Sequence, residues 1–407
     1  MSEDPARRGN AHGCNGQEIR RKEASKPMYK IGSFRNSILN TAIVPISLCI
    51  GLIICEGLLR IAPVPHFDAS RSDLFRPHLT RGFEFVPNVS AERWGFVWHT
   101  NSEGFRDYEH AIAKRGFRIV ALGDSFFVGH EVSFEDSFLR RLEHQLGLEV
   151  VKLAVSNYGT IQEYRTWEEV GKKYKPDLVL LGVFVGNDLE DNAEFPDSTC
   201  VDGGYLVRCG DTSYAEVRAA RSLAEHSLLG RLVLQRFVGY LPRRPYSQLN
   251  TAPDQPEVFR NLNHPNAIYR KNWDHTFTVG YELLTDSILK LRKSAAAQRA
   301  ELIVILIPTE LQIYDWEWDE YIRDFSLNAG DYDRDRVLRL LSGFLTSNRI
   351  RAIDLQPALR RAGESDRNLH PQHLHWSVAA NELVGGEVEN YLRSNHLVRV
   401  ETQARKN

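Results

Sequence analysis

The sequence predicts an α/β protein with a parallel sheet, preceded by one transmembrane helix. Three observations predict it. From Phe117 onward, short apolar runs alternate with amphipathic stretches of helical period. The apolar runs are near-continuous, as strands covered on both faces are. Ahead of them lies an almost uncharged stretch, Ile38–Cys55.

The elements follow in order. Residues 1–36 form a polar, basic tail with Arg7, Arg8, Arg20, Arg21, Lys22, Lys26, Lys30 and Arg35. Residues 37–60 hold the apolar span. At about 1.5 Å per residue, Ile38–Cys55 nearly crosses a bilayer core of about 30 Å, and Leu58-Leu59 extend it. The basic tail keeps the amino terminus cytoplasmic and puts the rest across the membrane. A cleaved signal peptide fits less well, because no small-x-small site follows the run. Residues 61–116 read as a connector with little periodicity. It is expected to pack on the main domain through Phe83, Phe85, Trp94, Phe96 and Trp98.

Residues 117–395 carry the alternation. Strands are expected at Arg118–Leu122, Glu149–Ala154, Leu178–Phe184, Glu301–Ile307 and Arg351–Leu355. Helices are expected at Phe134–Gln145, Gln162–Lys173, Phe277–Gln298, Arg334–Asn348 and Val378–Leu392. Residues 190–276 interrupt the pattern as an insertion. It holds a short helix near Tyr214–Leu223, the cations Arg231, Arg236, Arg243 and Arg244, and CVDGGYLVRC, whose Asp202-Gly203-Gly204 marks a hairpin turn. Outside the cytoplasm Cys200 and Cys209 can pair, adding about 2–3 kcal/mol to the loop; two free thiols are the alternative. Residues 396–407 form a tail.

Composition excludes some functions. With 51 Lys and Arg against 53 Asp and Glu, the net charge is −2, and no nucleic-acid partner is expected. His370, His373 and His375 cluster, yet no Cys or carboxylate stands at metal-ligand spacing, so neither metal nor cofactor is expected.

Four segments carry chemistry. Gly123-Asp124-Ser125 follows the first strand of the alternation, Ser156-Asn157-Tyr158-Gly159-Thr160 the second, Gly186-Asn187-Asp188 the third, and His375-Trp376 precedes the last helix. All four therefore belong at the carboxyl edge of one sheet. Acyl transfer needs a nucleophile, a base and donors for the tetrahedral oxyanion. Ser125 fits the nucleophile and His375 the base; the N–H groups of Ser125 and Asn157 and the Asn187 amide fit the donors. Gly-x-Ser-x-Gly is absent, which disfavours the α/β-hydrolase arrangement.

On these residues the chain resembles the SGNH, or GDSL-type, hydrolase superfamily over about Asn101–Tyr391, leaving out the insertion. Asn101-Ser102-Glu103-Gly104-Phe105-Arg106, LGDSF and PDLVLLGVFVGNDLEDN look like a bacterial branch with an inner-membrane anchor and a periplasmic catalytic domain. HWSVAANELV is similar to the His-Trp segment of that superfamily's polysaccharide O-acetylation proteins. The resemblance implies a flavodoxin-like three-layer sandwich and hydrolysis of acyl esters, acetyl foremost, on a glycan or other ester. It also implies the roles already given to Ser125, Asn157, Asn187 and His375. O-acyl transfer to an exported polysaccharide, and non-catalytic service to polysaccharide-assembly partners, are the other readings.

Three departures stand out. Asn157 replaces the usual glycine, and Asn tolerates left-handed backbone. Val185 stands where the third segment usually has glycine, and Gly186 follows. The acid that normally precedes the base is missing: Gln372 and His373 hold those places. Asp366 or Asp354 are candidates to substitute, His373 to serve as a neutral acceptor, and a Ser125–His375 dyad remains open. His370, followed by Pro371, is the alternative base.

Overall fold

The computed structural model describes residues 31–61, 74–93, 96–195, 199–202, 205–208, 227, 229, 267–370 and 375–398. The chain divides into two compact units, Met1–Ala62 and Pro63–Asn407. In the first, α1 (Ile31–Ile61) is one continuous helix through Pro45. Its Ile43–Ile61 segment is long and apolar enough to cross a membrane.

The second unit opens with two antiparallel hairpins, β1 (Phe75–His78) with β2 (Gly82–Phe85), and β3 (Ser90–Arg93) with β4 (Phe96–His99). The sequence reading has a connector without regular elements here. Strands of four residues are too short to show an alternation that can be told from chance. Phe83, Phe85 and Trp98 are buried in the core and Phe96 packs against it, as expected; Trp94 lies outside the described residues.

Next come β5 (Arg118–Gly123), α2 (Ser125–Val128), α3 (Phe138–Leu146), β6 (Glu149–Ala154), α4 (Thr160–Glu169), β7 (Leu178–Phe184) and α5 (Asp188–Glu194). A further hairpin, β8 (Thr199–Asp202) with β9 (Tyr205–Arg208), pairs Asp202 with Tyr205, where the sequence puts a turn. Cys200 is disulfide-bonded. Cys209, the helix near Tyr214–Leu223, and Arg231, Arg236, Arg243 and Arg244 lie outside the described residues. The chain continues through α6 (His275–Ala297), β10 (Glu301–Ile307), α7 (Glu310–Ile313), α8 (Asp315–Asp324), α9 (Arg336–Ser347), β11 (Arg351–Asp354), α10 (Gln356–Gly363) and α11 (Val378–Ser394).

Five strands form one parallel sheet in the order β6-β5-β7-β10-β11. Numbered along the chain, that is 2-1-3-4-5, the flavodoxin-like order. β5 is buried at every position, and β6, β7 and β10 at every position but one end residue, so helices cover both faces. Each buried Val, Leu or Ile contributes about 1.5–3 kcal/mol relative to exposure. In this order the connection reverses direction between β5 and β7, and the loops leaving their carboxyl ends part to open a crevice.

Two helix boundaries differ from the periodicity. The periodicity starts the helix after Ser125 at Phe134; α3 starts at Phe138. Ser133 and Asp136 hydrogen-bond each other, and the Ser137 hydroxyl donates to Phe134 O at 2.7 Å, which holds 133–137 as a turn. α4 ends at Glu169 and a 3-10 turn, Gly171–Tyr174, follows. The Trp167 ring fills the place a Cβ on residue 171 would need. The α7, α8 and α10 segments carry no apolar stripe long enough to be read from sequence.

Candidate active site

Ser125 opens α2 directly after β5. Asp124 caps that helix, its Oδ1 accepting the Phe126 N–H at 3.0 Å. The helix is seated on the sheet by Phe127, whose ring occupies the space that side chains at Gly123 and Gly182 would fill. Those glycines, on adjacent strands, are what let a serine stand this close to the sheet edge. Ser125 is 9% exposed, and its hydroxyl lies 3.5 Å from Asp124 Oδ2.

The other segments leave the same edge. β6 runs in register beside β5, Gly123 facing Ala154, and Val155 N donates to Gly123 O at 3.2 Å. Asn157 follows, exposed and left-handed at φ 62°. On the opposite side of β5, β7 leads to Asn187, which stands at the N-cap of α5. Asn187 Oδ1 is buried without a hydrogen-bond partner among the described residues, so the scaffold does not consume it.

His375 reaches this edge from the loop before α11. Its ring lies 5.2 Å from that of Phe126, the residue after the serine. Trp376 packs on Phe126 and Phe138 and is fully buried, a packing residue. Asn381 anchors the segment: its Nδ2 donates to Trp376 O at 3.2 Å and its Oδ1 accepts from Phe138 N at 3.0 Å. Ser377 caps α11 through Ala380 N. His370, the alternative base, is instead against Tyr314, ring centroids 6.1 Å apart.

The carboxylate beside His375 comes from an unexpected place. Glu131 Oε1 lies 3.5 Å from His375 Nδ1. Asp366 and Asp354 turn to their own backbones, accepting from Asn368 N at 2.8 Å and Gln356 N at 2.9 Å. His373 lies outside the described residues. Burial holds the His375 imidazole below its ordinary pKa of 6.5, and Glu131 acts against that shift.

Glu131 sits on the loop that leaves α2, at φ 61°, just after Gly129 at φ 76°. A glutamate in this left-handed region costs about 1–2 kcal/mol. Arg106 holds the loop in that shape. Its guanidinium, buried over the Trp98 indole, donates to Val128 O, Gly129 O and Val132 O. Burial brings its pKa down to about 10. Lys152 Nζ also donates to Val128 O, at 3.3 Å, and burial lowers its pKa to about 7. On the same loop, His130 hydrogen-bonds the Ser156 hydroxyl through Nε2 and packs against His375, ring centroids 4.8 Å apart.

Behind the serine lies a group of buried acids: Asp124, Glu163, Asp188 and Asp191. Burial, with mutual repulsion among Glu163, Asp188 and Asp191 and their neighbours, keeps those three well above the ordinary carboxylate range. Asp124 is pushed up to about 7 by burial. Among the described residues no three His, Cys, Asp or Glu are arranged to hold a metal ion.

Sequence reasoning missed Glu131, His130 and the bracing role of Arg106. The one local signal was an acid two residues after a glycine that ends a very short helix, which by itself reads as a solvated turn.

No family model matches the chain, and no curated protein does. Solved structures do. An acetyl xylan esterase, AlAXEase, is 11% identical, with a TM-score of 0.37 over 68% of this chain and 100% of that one. A catalytic mutant of Axe2, an acetylxylan esterase from Geobacillus stearothermophilus, is 11% identical, with a TM-score of 0.37 over 70% and 95%. A member of the lipolytic protein G-D-S-L family from Veillonella parvula DSM 2008 is 11% identical, with a TM-score of 0.36 over 68% and 99%. At these values the function has to be argued from the chain's own residues.

Proposed function

We propose that the chain is a serine-dependent ester hydrolase of the SGNH type, acting on acyl esters, acetyl foremost, through an acyl-enzyme on Ser125. The observation that carries this reading is the convergence of three loops from adjacent parallel strands with the His375 segment at one sheet edge. Ser125, Asn157, Asn187 and His375 all belong to that edge, at the crevice of a 2-1-3-4-5 sheet.

The chemistry follows from the groups present. The Ser125 hydroxyl attacks the ester carbonyl and its proton passes to His375 Nε2, the nitrogen left for it when Nδ1 faces Glu131. The carbonyl oxygen becomes an oxyanion, received by the N–H groups of Ser125 and Asn157 and the Asn187 amide. Collapse breaks the ester C–O bond, and the alcohol leaves with the proton from His375. Water then repeats the sequence and frees the acid.

Asn157 is compatible with this reading: it stands where glycine usually does and holds left-handed backbone at φ 62°, which asparagine tolerates. The Glu131 carboxylate beside Nδ1 favours a catalytic reading over a non-catalytic one. With α1 as anchor and the basic tail inside, the proposal places the site across the inner membrane, facing acylated glycans.

Full-length protein in detergent, assayed on p-nitrophenyl acetate, tests the proposal. Turnover and fluorophosphonate labelling are expected, and both should vanish in Ser125→Ala; turnover that persists overturns the reading. Adding an oligosaccharide acceptor distinguishes hydrolysis from transfer by whether free acid or acylated sugar accumulates.

A further inference from the structure

We propose that Glu131 supplies the carboxylate that orients His375, and that Arg106 holds it there. This rests on the reading of Ser125 as nucleophile and His375 as base. Glu131 is a positioning residue, acting on the substrate only through the imidazole.

Four observations support it. First, the Glu131 and His375 side chains are only 15% and 18% exposed, and Oε1 stands 3.5 Å from Nδ1. That is ion-pair range, slightly longer than a formed hydrogen bond, and such contacts tighten when the imidazole gains its proton. Second, Glu131 occupies left-handed backbone at φ 61°, where glycine would sit without strain. Strain of this kind persists where the surroundings over-determine it, and it gathers at functional sites. Third, Arg106 donates to the carbonyls on both sides of Glu131, at Gly129 and Val132, which fixes the strained residue from outside. Fourth, Asp366 and Asp354, the acids the sequence offers as substitutes, accept instead from the backbone N–H groups of Asn368 and Gln356.

The consequence is an unusual division of parts. Nucleophile and orienting acid sit on one strand–helix–loop unit, and only the base arrives from elsewhere. When Ser125 gives up its proton, the imidazolium forms against a carboxylate that the same loop already holds. The Glu131 charge also favours the Nδ1–H tautomer, leaving the Nε2 lone pair for the serine. The titratable neighbours that face His375 on this loop are Glu131 and His130.

Detergent-solubilised full chain in four forms, wild type, Glu131→Gln, Glu131→Asp and Glu131→Gly, provides the test. Glu131→Gln is expected to lower kcat on p-nitrophenyl acetate by about 10²- to 10⁴-fold with little change in KM. Its acid limb in the pH–rate profile moves to lower pH, since removing the negative charge lowers the His375 pKa further. Glu131→Asp recovers part of the rate. Glu131→Gly loses activity while its unfolding midpoint stays level or rises, because glycine relieves the strain; added formate restores part of the rate. A Glu131→Gln enzyme within threefold of wild type, with an unmoved acid limb, overturns the proposal and leaves Ser125 and His375 in their roles. A His375 imidazole that titrates at the same pH by NMR in wild type and Glu131→Gln overturns it as well. Turnover surviving Ser125→Ala overturns the underlying reading instead.

Discussion

The guanidinium carbon of Arg106 lies 4.2 Å from the centroid of the Trp98 ring, and from that seat the side chain donates to three carbonyls of the loop behind Ser125. The hairpin segment ahead of the sheet is thereby part of the site's frame. A buried cation is tolerated here because its Nη1 and Nη2 groups donate to carbonyls and a π face lies against the guanidinium.

Replacing that fork tests the frame. Arg106→Lys keeps the charge but cannot reach three carbonyls at once. It is expected to lower unfolding stability by about 2–4 kcal/mol, since buried carbonyls lose their donors. Denaturant unfolding of the full chain in detergent measures the loss. The rate on p-nitrophenyl acetate should fall with it, because Glu131 and His130 ride on the same loop.

Gly182 faces a different constraint. A methyl group there meets the Phe127 ring, so Gly182→Ala must push α2 off the sheet. A cost of about 1–3 kcal/mol is expected, with a drop in fluorophosphonate labelling of Ser125. Pairing it with Phe127→Leu should recover much of the stability; a double variant no better than the single one refutes the steric account.

The acids behind the serine make stability depend on pH. Each has a folded pKa above its unfolded one, so the folded state binds more protons. The stability they contribute is full below the unfolded pKa, near 3.8 for Asp124, and is lost as pH rises through the folded value, about 7 for Asp124. Glu163→Gln removes one of the buried acids and part of the repulsion on Asp188. The variant should lose less stability between pH 4 and pH 8 than wild type, read as a flatter plot of unfolding midpoint against pH. An unchanged slope rejects the coupling.

Much of the sheet was legible because its strands are apolar runs buried on both faces. Leu178–Phe184 and Glu301–Ile307 have the expected limits, since each is buried at every position but one end residue. The site's order was legible for a related reason: Gly123-Asp124-Ser125, Asn157 and Asn187 each sit immediately after such a strand, so parallel pairing alone brings them to one edge. The hairpins at Phe75–Phe85 and Ser90–His99 were not legible, because four-residue strands lack a readable period.

Sequence alone therefore determined the parallel sheet, the edge at which Ser125, Asn157 and Asn187 gather, and the apolar helix ahead of it, because these depend on burial patterns that neighbouring residues carry themselves. Only tertiary structure decided which carboxylate meets His375. That choice rests on a strained turn at Glu131, braced by a distant arginine, and no local pattern records a contact made by folding two remote loops together.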